Sequence, residues 1–440
     1  MQFRQKLSDQ DFLDGDIGGP AQKVGSDLCS ENSFVTIADQ DHEMFYYDSK
    51  ANVWRENAYD LIWRWMAKRY PAFSKHMRNE VIDYVQGQTL ETRDNFQAPP
   101  GWISFKNQCI NAKANYAREY DASDNYIRNR YPVAYNKAAV CPQFSRFLIQ
   151  ILPDLEDRTT LIEALSMVLI PQFNFEKAVM FIGTSSANGK STIMKVMRAL
   201  FGKENISAIS LQDLIYNRFM GQKLDGKLLN IYADINDKEI TDLDKFKLFI
   251  SGDLVTVERK NGHPYEIEAK AKHFFSTNTL PEIKEDNTAV YRRFLIIEFP
   301  VSFEDKKDLD LLAKLTTKEE LEGIMWLLLR TAKRMSVKRN FTYPQSPDEI
   351  RMRWKNESNA VFELINNSVH ITKFSDYKIT RQAFYTEYAR FCHSKKYTVK
   401  SQGTVTRQVE KLGIESHKSN GVWYWLGIGV PKEVKGNETL

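Results

Sequence analysis

The sequence predicts an α/β protein in which a central α/β domain follows a mainly helical amino-terminal domain and precedes a small winged-helix domain. Helical segments alternate with apolar strands from about residue 156 to residue 336, a pattern typical of a sheet covered by helices. A polar stretch with Pro344 and Pro347 then separates this part from three helices and an aromatic hairpin at residues 414–428. Three helices followed by a hairpin predict the winged helix.

The length supports several domains, because 440 residues exceed what one hydrophobic core usually holds. We place the boundaries where composition and hydrophobic period change. The predicted segments are a flexible arm at 1–30, a mainly helical domain at 31–155, the α/β domain at 156–336, the winged-helix domain at 337–430 and a disordered tail at 431–440.

Composition favours a soluble, cytoplasmic protein without a membrane partner. Hydrophobic residues make up 42% and charged residues 27% of the chain, and no uncharged apolar run reaches the roughly 18 residues of a spanning helix. The first twenty residues also lack the layout of a signal peptide. The four cysteines have neither metal-ligand nor disulfide-framework spacing, so we expect reduced thiols and no structural zinc.

Charge is nearly balanced over the whole chain, with a formal net charge of +4. Its distribution is uneven, because residues 351–430 contain 13 Lys or Arg against 6 Asp or Glu. The local excess of seven positive charges is a modest electrostatic footprint for a polyanion, such as a nucleic acid.

A glycine-rich segment indicates an ATP site. Residues 183–192 read GTSSANGKST and follow an apolar strand predicted at 177–182. A strand, a glycine loop and a helix in this order form a phosphate-binding loop, in which a lysine neutralises phosphate and a hydroxyl binds Mg²⁺. The spacing is one residue longer than the usual motif, and a glycine turn capping a core helix is the alternative. The candidate nucleotide-binding residues are Gly183, Asn188, Gly189, Lys190, Ser191 and Thr192.

Polar residues at two strand ends extend this candidate site. Asp234 follows the strand predicted at 228–232 and is placed to hold Mg²⁺ or polarise water, although a strand-end Asp is commonly a turn former. Asn278 follows the strand at 273–277 and would position the attacking water. Arg292 and Arg293 precede a further strand, either as a solvated edge or as the source of an arginine that reaches a neighbouring subunit's ATP.

Five segments in order resemble one family: GTSSANGKST, KLLNIYADIN, FKLFISGDLVTVERK, HFFSTNTLP and YRRFLIIEFP. They are similar to the helicase part of phage, plasmid and poxvirus primase-helicases, which are superfamily 3 AAA+ ATPases. The region around YPVAYNKAAVCPQF also resembles the helical domain that precedes this ATPase in the family. The resemblance implies a hexameric ring that hydrolyses ATP with Mg²⁺ and unwinds DNA from 3′ to 5′.

The resemblance implies roles for individual residues. Lys190 and Ser191 match the Walker A lysine and hydroxyl, and Asp234 matches the Walker B acid, although Ala233 stands where family members often carry a second acid. Asn278 matches sensor 1. The arginine finger is one of Arg292 and Arg293, and the match does not choose between them.

Two segments are candidate DNA contacts. The family has a hairpin before sensor 1 that grips DNA, and residues 255–267 fit it, with a type I′ turn predicted at Asn261-Gly262 and with Lys260 and His263 beside the turn. On the helix predicted at 405–412, Arg407, Gln408 and Lys411 lie opposite the apolar face and would enter a groove. A plain surface hairpin and a solvated or protein-binding helix are the alternatives.

Other functions fit less of the sequence. Asp14 and Asp16 suggest a metal-binding pair of a primase, but they lack flanking strands and a partner histidine, so we expect any primase or origin-binding partner to be a separate protein. A DNA-packaging motor or a replication regulator would use the same ATP site. A packaging motor would not need the hairpin and the winged helix, and a regulator that binds ATP without hydrolysis would not need Asn278 and the arginine pair. The sequence therefore favours a helicase acting on single-stranded and forked DNA.

Overall fold

The computed structural model describes most of the chain, namely residues 19–38, 41–98, 101–111, 116–118, 126–170, 174–183, 187–306, 308–367, 371–395, 397 and 399–430. The predicted tail at 431–440 and the first eighteen residues, with Asp14 and Asp16, lie outside these ranges. Within them, none of the helices combines the length and the apolarity that a bilayer crossing requires.

The amino-terminal part pairs three helices with a four-stranded sheet in the order β3-β2-β1-β4. Its elements are α1 (Pro20–Glu31), β1 (Phe34–Ile37), β2 (Glu43–Asp48), β3 (Val53–Arg55), α2 (Ala58–Arg69), α3 (Lys75–Gln88) and β4 (Leu90–Glu91). The flexible-arm prediction is wrong from residue 20 onward, because α1 buries Val24 and Leu28 in a core shared with α2 and α3.

The next part is also mixed, so the prediction of a mainly helical domain is wrong. It contains a three-stranded antiparallel sheet and two helices: β5 (Trp102–Ser104), β6 (Cys109–Asn111), β7 (Tyr116–Arg118), α4 (Pro142–Ile151) and α5 (Leu155–Ser166). Its strands are only three residues long and carry little periodicity, which is why sequence patterns do not reveal them.

A five-stranded parallel sheet, the central sheet, organises the middle of the chain in the order β14-β8-β13-β10-β9. The elements from β8 to β14 are β8 (Ala178–Ile182), α6 (Lys190–Phe201), β9 (Ile206–Ser207), α7 (Leu211–Tyr216), β10 (Leu229–Tyr232), α8 (Asp244–Ser251), β11 (Leu254–Val257), β12 (Tyr265–Glu268), β13 (Lys272–Thr277), α9 (Thr288–Tyr291) and β14 (Phe294–Glu298). Strands β11 and β12 form a separate antiparallel hairpin.

Three helices follow the central sheet: α10 (Leu311–Leu315), α11 (Lys318–Lys338) and α12 (Pro347–Ser358). Both faces of the sheet are buried, one under α4, α5, α6 and α11 and the other under α7, α8 and α12. This explains the continuous apolar runs of its strands. Because α4 and α5 belong to the same core as α6 and α11, packing shows no separation at the predicted 155/156 boundary.

The carboxy-terminal part forms its own core from three helices and a three-stranded sheet. Its elements are α13 (Ala360–Asn367), β15 (Thr372–Thr380), α14 (Arg381–Lys395), α15 (Gln402–Lys411), β16 (Ser416–Ser419) and β17 (Val422–Gly429). The three helices and the closing hairpin match the sequence prediction, and Asn420 and Gly421 have the positive φ values of 48° and 80° that its tight turn requires. Strand β15 was missed, because its polar sequence has no clear alternation.

Gly323 tests the packing that joins α11 to the start of α4. A Cβ at this position of α11 would lie 2.3 Å from the carbonyl carbon and oxygen of Val140, which are backbone atoms with little freedom to move. We expect Gly323→Ala to lower the free energy of unfolding by about 2 kcal/mol, as overpacking does.

Gly403, in the first turn of α15, is the matched control because a Cβ there meets nothing within 4 Å. Gly403→Ala is expected to raise the free energy of unfolding by about 0.4–1 kcal/mol, because alanine is the better helix former. Urea unfolding of both variants makes the comparison, and equal stabilities of the two variants would contradict the packing described here.

Candidate active site

The strand order brings three predicted positions of the candidate site to one edge of the central sheet. Strand β13 lies between β8 and β10, and all three strands run parallel. Their carboxyl ends therefore meet at one edge, where Gly183, Asn278 and Asp234 follow β8, β13 and β10. Ligands of parallel α/β sheets bind at such an edge.

The Lys190 side chain is the centre of this edge. Its ammonium donates hydrogen bonds to the carbonyl oxygen of Gly183 at 2.7 Å and to Oδ1 of Asn278 at 3.1 Å. Only 5% of the residue is exposed, and burial lowers its pKa from 10.5 to about 8, an effect that the Asp234 carboxylate partly offsets. Among the described residues no carboxylate forms an ion pair with Lys190, so its charge remains available to a phosphate.

The two glycines of the loop are required for close packing. A Cβ on Gly183 would lie 2.4 Å from Nδ2 of Asn188 and 2.9 Å from the carbonyl oxygen of Phe299. Gly189, directly before α6, has a φ of 96°, and a Cβ there would meet Ile151 of α4 at 2.7 Å. A larger residue at either position would displace the neighbours that hold Lys190 in place.

The turn after β10 fixes Asp234 beside β13. The backbone N–H of Asp234 donates to Oγ of Ser276 at 3.4 Å, and the N–H of Ile235 donates to the carbonyl oxygen of Ser276 at 3.0 Å. Asp234 has a φ of 55°, a conformation that is uncommon outside glycine and is often found at functional sites. Its side chain is exposed at the same edge as Asn278.

The remaining loop residues complete the set that would bind phosphate and Mg²⁺. Asn188 is buried, whereas Ser191 is exposed in the first turn of α6 and Thr192 is partly exposed. Residues 184–186, which include the extra residue of the loop, lie outside the described residues. An uncompensated ammonium, a helix amino terminus and an exposed carboxylate at one edge fit a phosphate chain with its cation.

Arg292 and Arg293 lie at the opposite edge of the central sheet. They precede β14, and the backbone N–H of Ala178 at the start of β8 donates to the carbonyl oxygen of Arg293 at 2.7 Å. Arg292 is paired with Glu176 at 3.4 Å, and Arg293 donates to Oγ of Ser251 at 3.2 Å. The length of β8 therefore separates both arginines from the Lys190 edge of the same chain.

The hairpin tip is docked against the amino-terminal part. The type I′ prediction is wrong, because only Asn261 of the Asn261-Gly262 pair has a positive φ, and seven residues separate β11 from β12. The backbone N–H of His263 donates to the Asp41 carboxylate at 2.9 Å, and Arg259 pairs with Glu43. Lys260 and the His263 side chain remain exposed.

Helix α15 presents fewer free side chains than its sequence pattern predicts. Arg407 and Lys411 are exposed, although Lys411 lies 3.9 Å from the Glu239 carboxylate. Gln408 does not point outward: it is buried, and its amide donates to Glu282 at 3.2 Å. The predicted outer face of α15 is therefore partly occupied by the central α/β part.

Sequence reasoning missed Ser276 and a second group of cations. Ser276 anchors the Asp234 turn, but a serine inside an apolar strand gives no signal of that role. Lys177 and Lys272 stand at the starts of β8 and β13, at the same edge as the two arginines. A lysine directly before each of two apolar strands is the signal that would have found this group.

Two family models match the amino-terminal and central parts of the chain. Residues 23–153 match the family described as D5 N terminal like, and residues 181–293 match a family of unknown function, DUF5906. The chain is 24% identical over 203 residues to "Putative helicase L207/L206" of Acanthamoeba polyphaga mimivirus. That match spans 44% of this chain and only 20% of the relative's length.

Solved structures with a similar outline include two of the NrS-1 C terminal region. One covers 93% of this chain and 100% of its own, with 12% identity and a TM-score of 0.49. The other covers 93% of this chain and 99% of its own, with 11% identity and a TM-score of 0.48. The strand pairing of this chain itself shows the mixed α/β fold with its parallel sheet.

The low pKa of Lys190 predicts proton uptake when a polyphosphate binds. Phosphate favours the charged ammonium and raises the pKa above its value of about 8, so at pH 8–9 binding should bring a proton with it. Calorimetry of triphosphate binding in buffers of different ionisation enthalpy measures this uptake.

Lys195, an exposed lysine on the same helix, provides the control. Uptake should persist in Lys195→Met and fall in Lys190→Met. Equal uptake by the two variants would show that Lys190 is not the group that titrates.

Proposed function

We propose that this chain is an ATP-dependent DNA helicase that works as a hexameric ring. The observation that carries the proposal is the meeting of Lys190, Asp234 and Asn278 at one edge of the central sheet. A phosphate-binding lysine, an acid and an amide in this arrangement support hydrolysis of a nucleoside triphosphate. The similarity to a relative named as a helicase supports the choice of DNA unwinding over other uses of ATP.

In this proposal the residues of one edge have separate tasks. Lys190 and the loop around Gly189 hold the β- and γ-phosphates, and Ser191 with Asp234 would hold Mg²⁺, which neutralises charge on the phosphates when bound. Asn278 orients the attacking water. It is linked to Lys190 by a 3.1 Å hydrogen bond, so its position depends on the same lysine.

The position of the arginines supports the proposed ring. Arg292 and Arg293 lie at the other edge of the sheet and cannot reach the nucleotide of their own chain. An arginine supplied to a neighbouring subunit is worth roughly 10³ to 10⁵ in hydrolysis rate where it has been measured. If one of the two arginines acts in this way, each site lies between two subunits.

The hairpin and α15 are the proposed DNA contacts. Lys260 and the His263 side chain are exposed and would follow a phosphate backbone without reading its sequence. Arg407 on α15 is a second exposed cation. For the tip to enter a channel, the Asp41 contact to the His263 backbone has to open, so the docked tip corresponds to a state before DNA is engaged.

A DNA-packaging motor or a replication regulator is the competing function, because either would use the same ATP site. Strand displacement on a forked duplex, measured together with DNA-stimulated ATP hydrolysis, separates them. We expect Lys190→Ala to abolish both activities, because it removes the phosphate-binding charge. Lys260→Ala should keep hydrolysis and lose unwinding.

Lys203 is a matched control for Lys260, since it is also an exposed lysine but lies next to the end of α6. Lys203→Ala should unwind like the unaltered protein. ATP hydrolysis without displacement of any forked or tailed duplex would remove the helicase function and favour the motor or the regulator.

A further inference from the structure

A row of cations lies at the amino ends of three neighbouring strands, opposite the Lys190 edge. Phe274 is paired with Val179, so Lys272 at the start of β13 lies beside Lys177, which directly precedes β8. Arg292 and Arg293 precede β14, the strand on the other side of β8. We call Lys177, Lys272, Arg292 and Arg293 the cationic edge.

A cavity of about 230 Å³ opens beside this edge. Three lysines line it, namely Lys177, Lys270 and Lys272, against one acidic residue, Glu268. A water molecule takes roughly 30 Å³ of liquid, so the cavity holds several waters or one tetrahedral oxyanion. Its lining charge is positive, which favours the anion.

The buried ammonium of Lys272 is the group in this cavity that most requires a ligand. It is 8% exposed, and no hydrogen bond or ion pair joins its ammonium to another described residue. Burial lowers its pKa to about 8, so at neutral pH the protein carries a largely buried ammonium without an ion-pair partner among the described residues. Such a charge is destabilising unless an acceptor reaches it. Lys177 differs, since it donates to the carbonyl oxygen of Arg292 at 2.6 Å.

His273 also lines the cavity. After the Lys272 ammonium, its ring provides the second hydrogen-bond donor without an acceptor among the described residues. The amide of Asn230 is oriented by two hydrogen bonds to the backbone of Ile209, so its Nδ2 donates to Nδ1 of His273 at 3.4 Å. Burial lowers the pKa of His273 to about 3, so the ring is neutral and its proton lies on Nε2. That nitrogen is buried, and no described residue accepts its hydrogen bond.

We propose that this cavity is a second phosphate-binding site, in which Lys272 and Lys177 supply the charge that a phosphate group requires. The Lys272 ammonium is a donor without a described partner, and a phosphate offers several strong acceptors with negative charge. The phosphate has two possible sources. It is either dissolved phosphate or the terminal phosphate of a nucleotide held by a neighbouring copy, and the second source rests on the proposed function.

Binding of inorganic phosphate, measured by calorimetry, tests the site directly. The full chain carries Lys190→Met, so that the glycine loop does not compete. Adding Lys272→Met should weaken phosphate binding about tenfold, the effect of losing one charge-assisted hydrogen bond. Adding Lys333→Met, a substitution of an exposed lysine on α11, should leave the affinity unchanged.

Thermal unfolding of the same variants separates a ligand site from a structural role. Met fills a similar volume without a buried charge, so Lys272→Met without phosphate should melt at a higher temperature. Unchanged phosphate affinity, or a lower melting temperature, would overturn the proposal. This measurement uses a chain without ATP hydrolysis, so a failure of the helicase function would leave its result intact.

Mixing two variants identifies the source of the phosphate. Lys190→Met chains keep the second site, and Lys272→Met chains keep the glycine loop. Loss of ATP hydrolysis in each variant alone and its recovery in the mixture would show that the phosphate belongs to a neighbour's nucleotide. Full ATP hydrolysis by Lys272→Met alone, together with its loss of phosphate affinity, would show that the site takes dissolved phosphate.

Discussion

The buried ammonium of Lys190 is the interaction on which the candidate site depends. It joins the end of β8, through the Gly183 carbonyl, to the end of β13, through Asn278. Removing it from water is costly, and the two hydrogen bonds offset only part of that cost. The site is therefore organised around a charge that forms no ion pair with any described carboxylate, and we propose that a phosphate compensates it.

Parallel pairing extends this organisation across the sheet. Because β13 lies between β8 and β10, the turn carrying Asp234 is fixed by Ser276 of the same strand that positions Asn278. Arg292 and Arg293 precede β14, which is parallel to β8, so both arginines lie at the opposite edge of the sheet. One strand order thus places Lys190 at one edge of the central sheet and the cationic edge at the other.

The central strands were predictable from sequence, whereas several contacts were not. The runs before Gly183, Asp234 and Asn278 are apolar because both faces of the sheet are buried, so they were found to within one residue. The docking of Asp41 on the hairpin tip and the burial of Gln408 depend on parts far apart in the chain, and no local pattern encodes them. The helix α1 was missed because residues 1–30 are polar and rich in glycine, although Val24 and Leu28 are buried against other elements.

The central claim is that the Lys190 edge binds and hydrolyses ATP, and Asp234 tests it most directly because it is exposed and contributes little to packing. ATP binding and steady-state hydrolysis would be measured on the same samples of the unaltered protein and Asp234→Asn. The account predicts that the variant still binds ATP through Lys190 but hydrolyses it at least about a hundredfold more slowly. Unchanged hydrolysis in Asp234→Asn would contradict it.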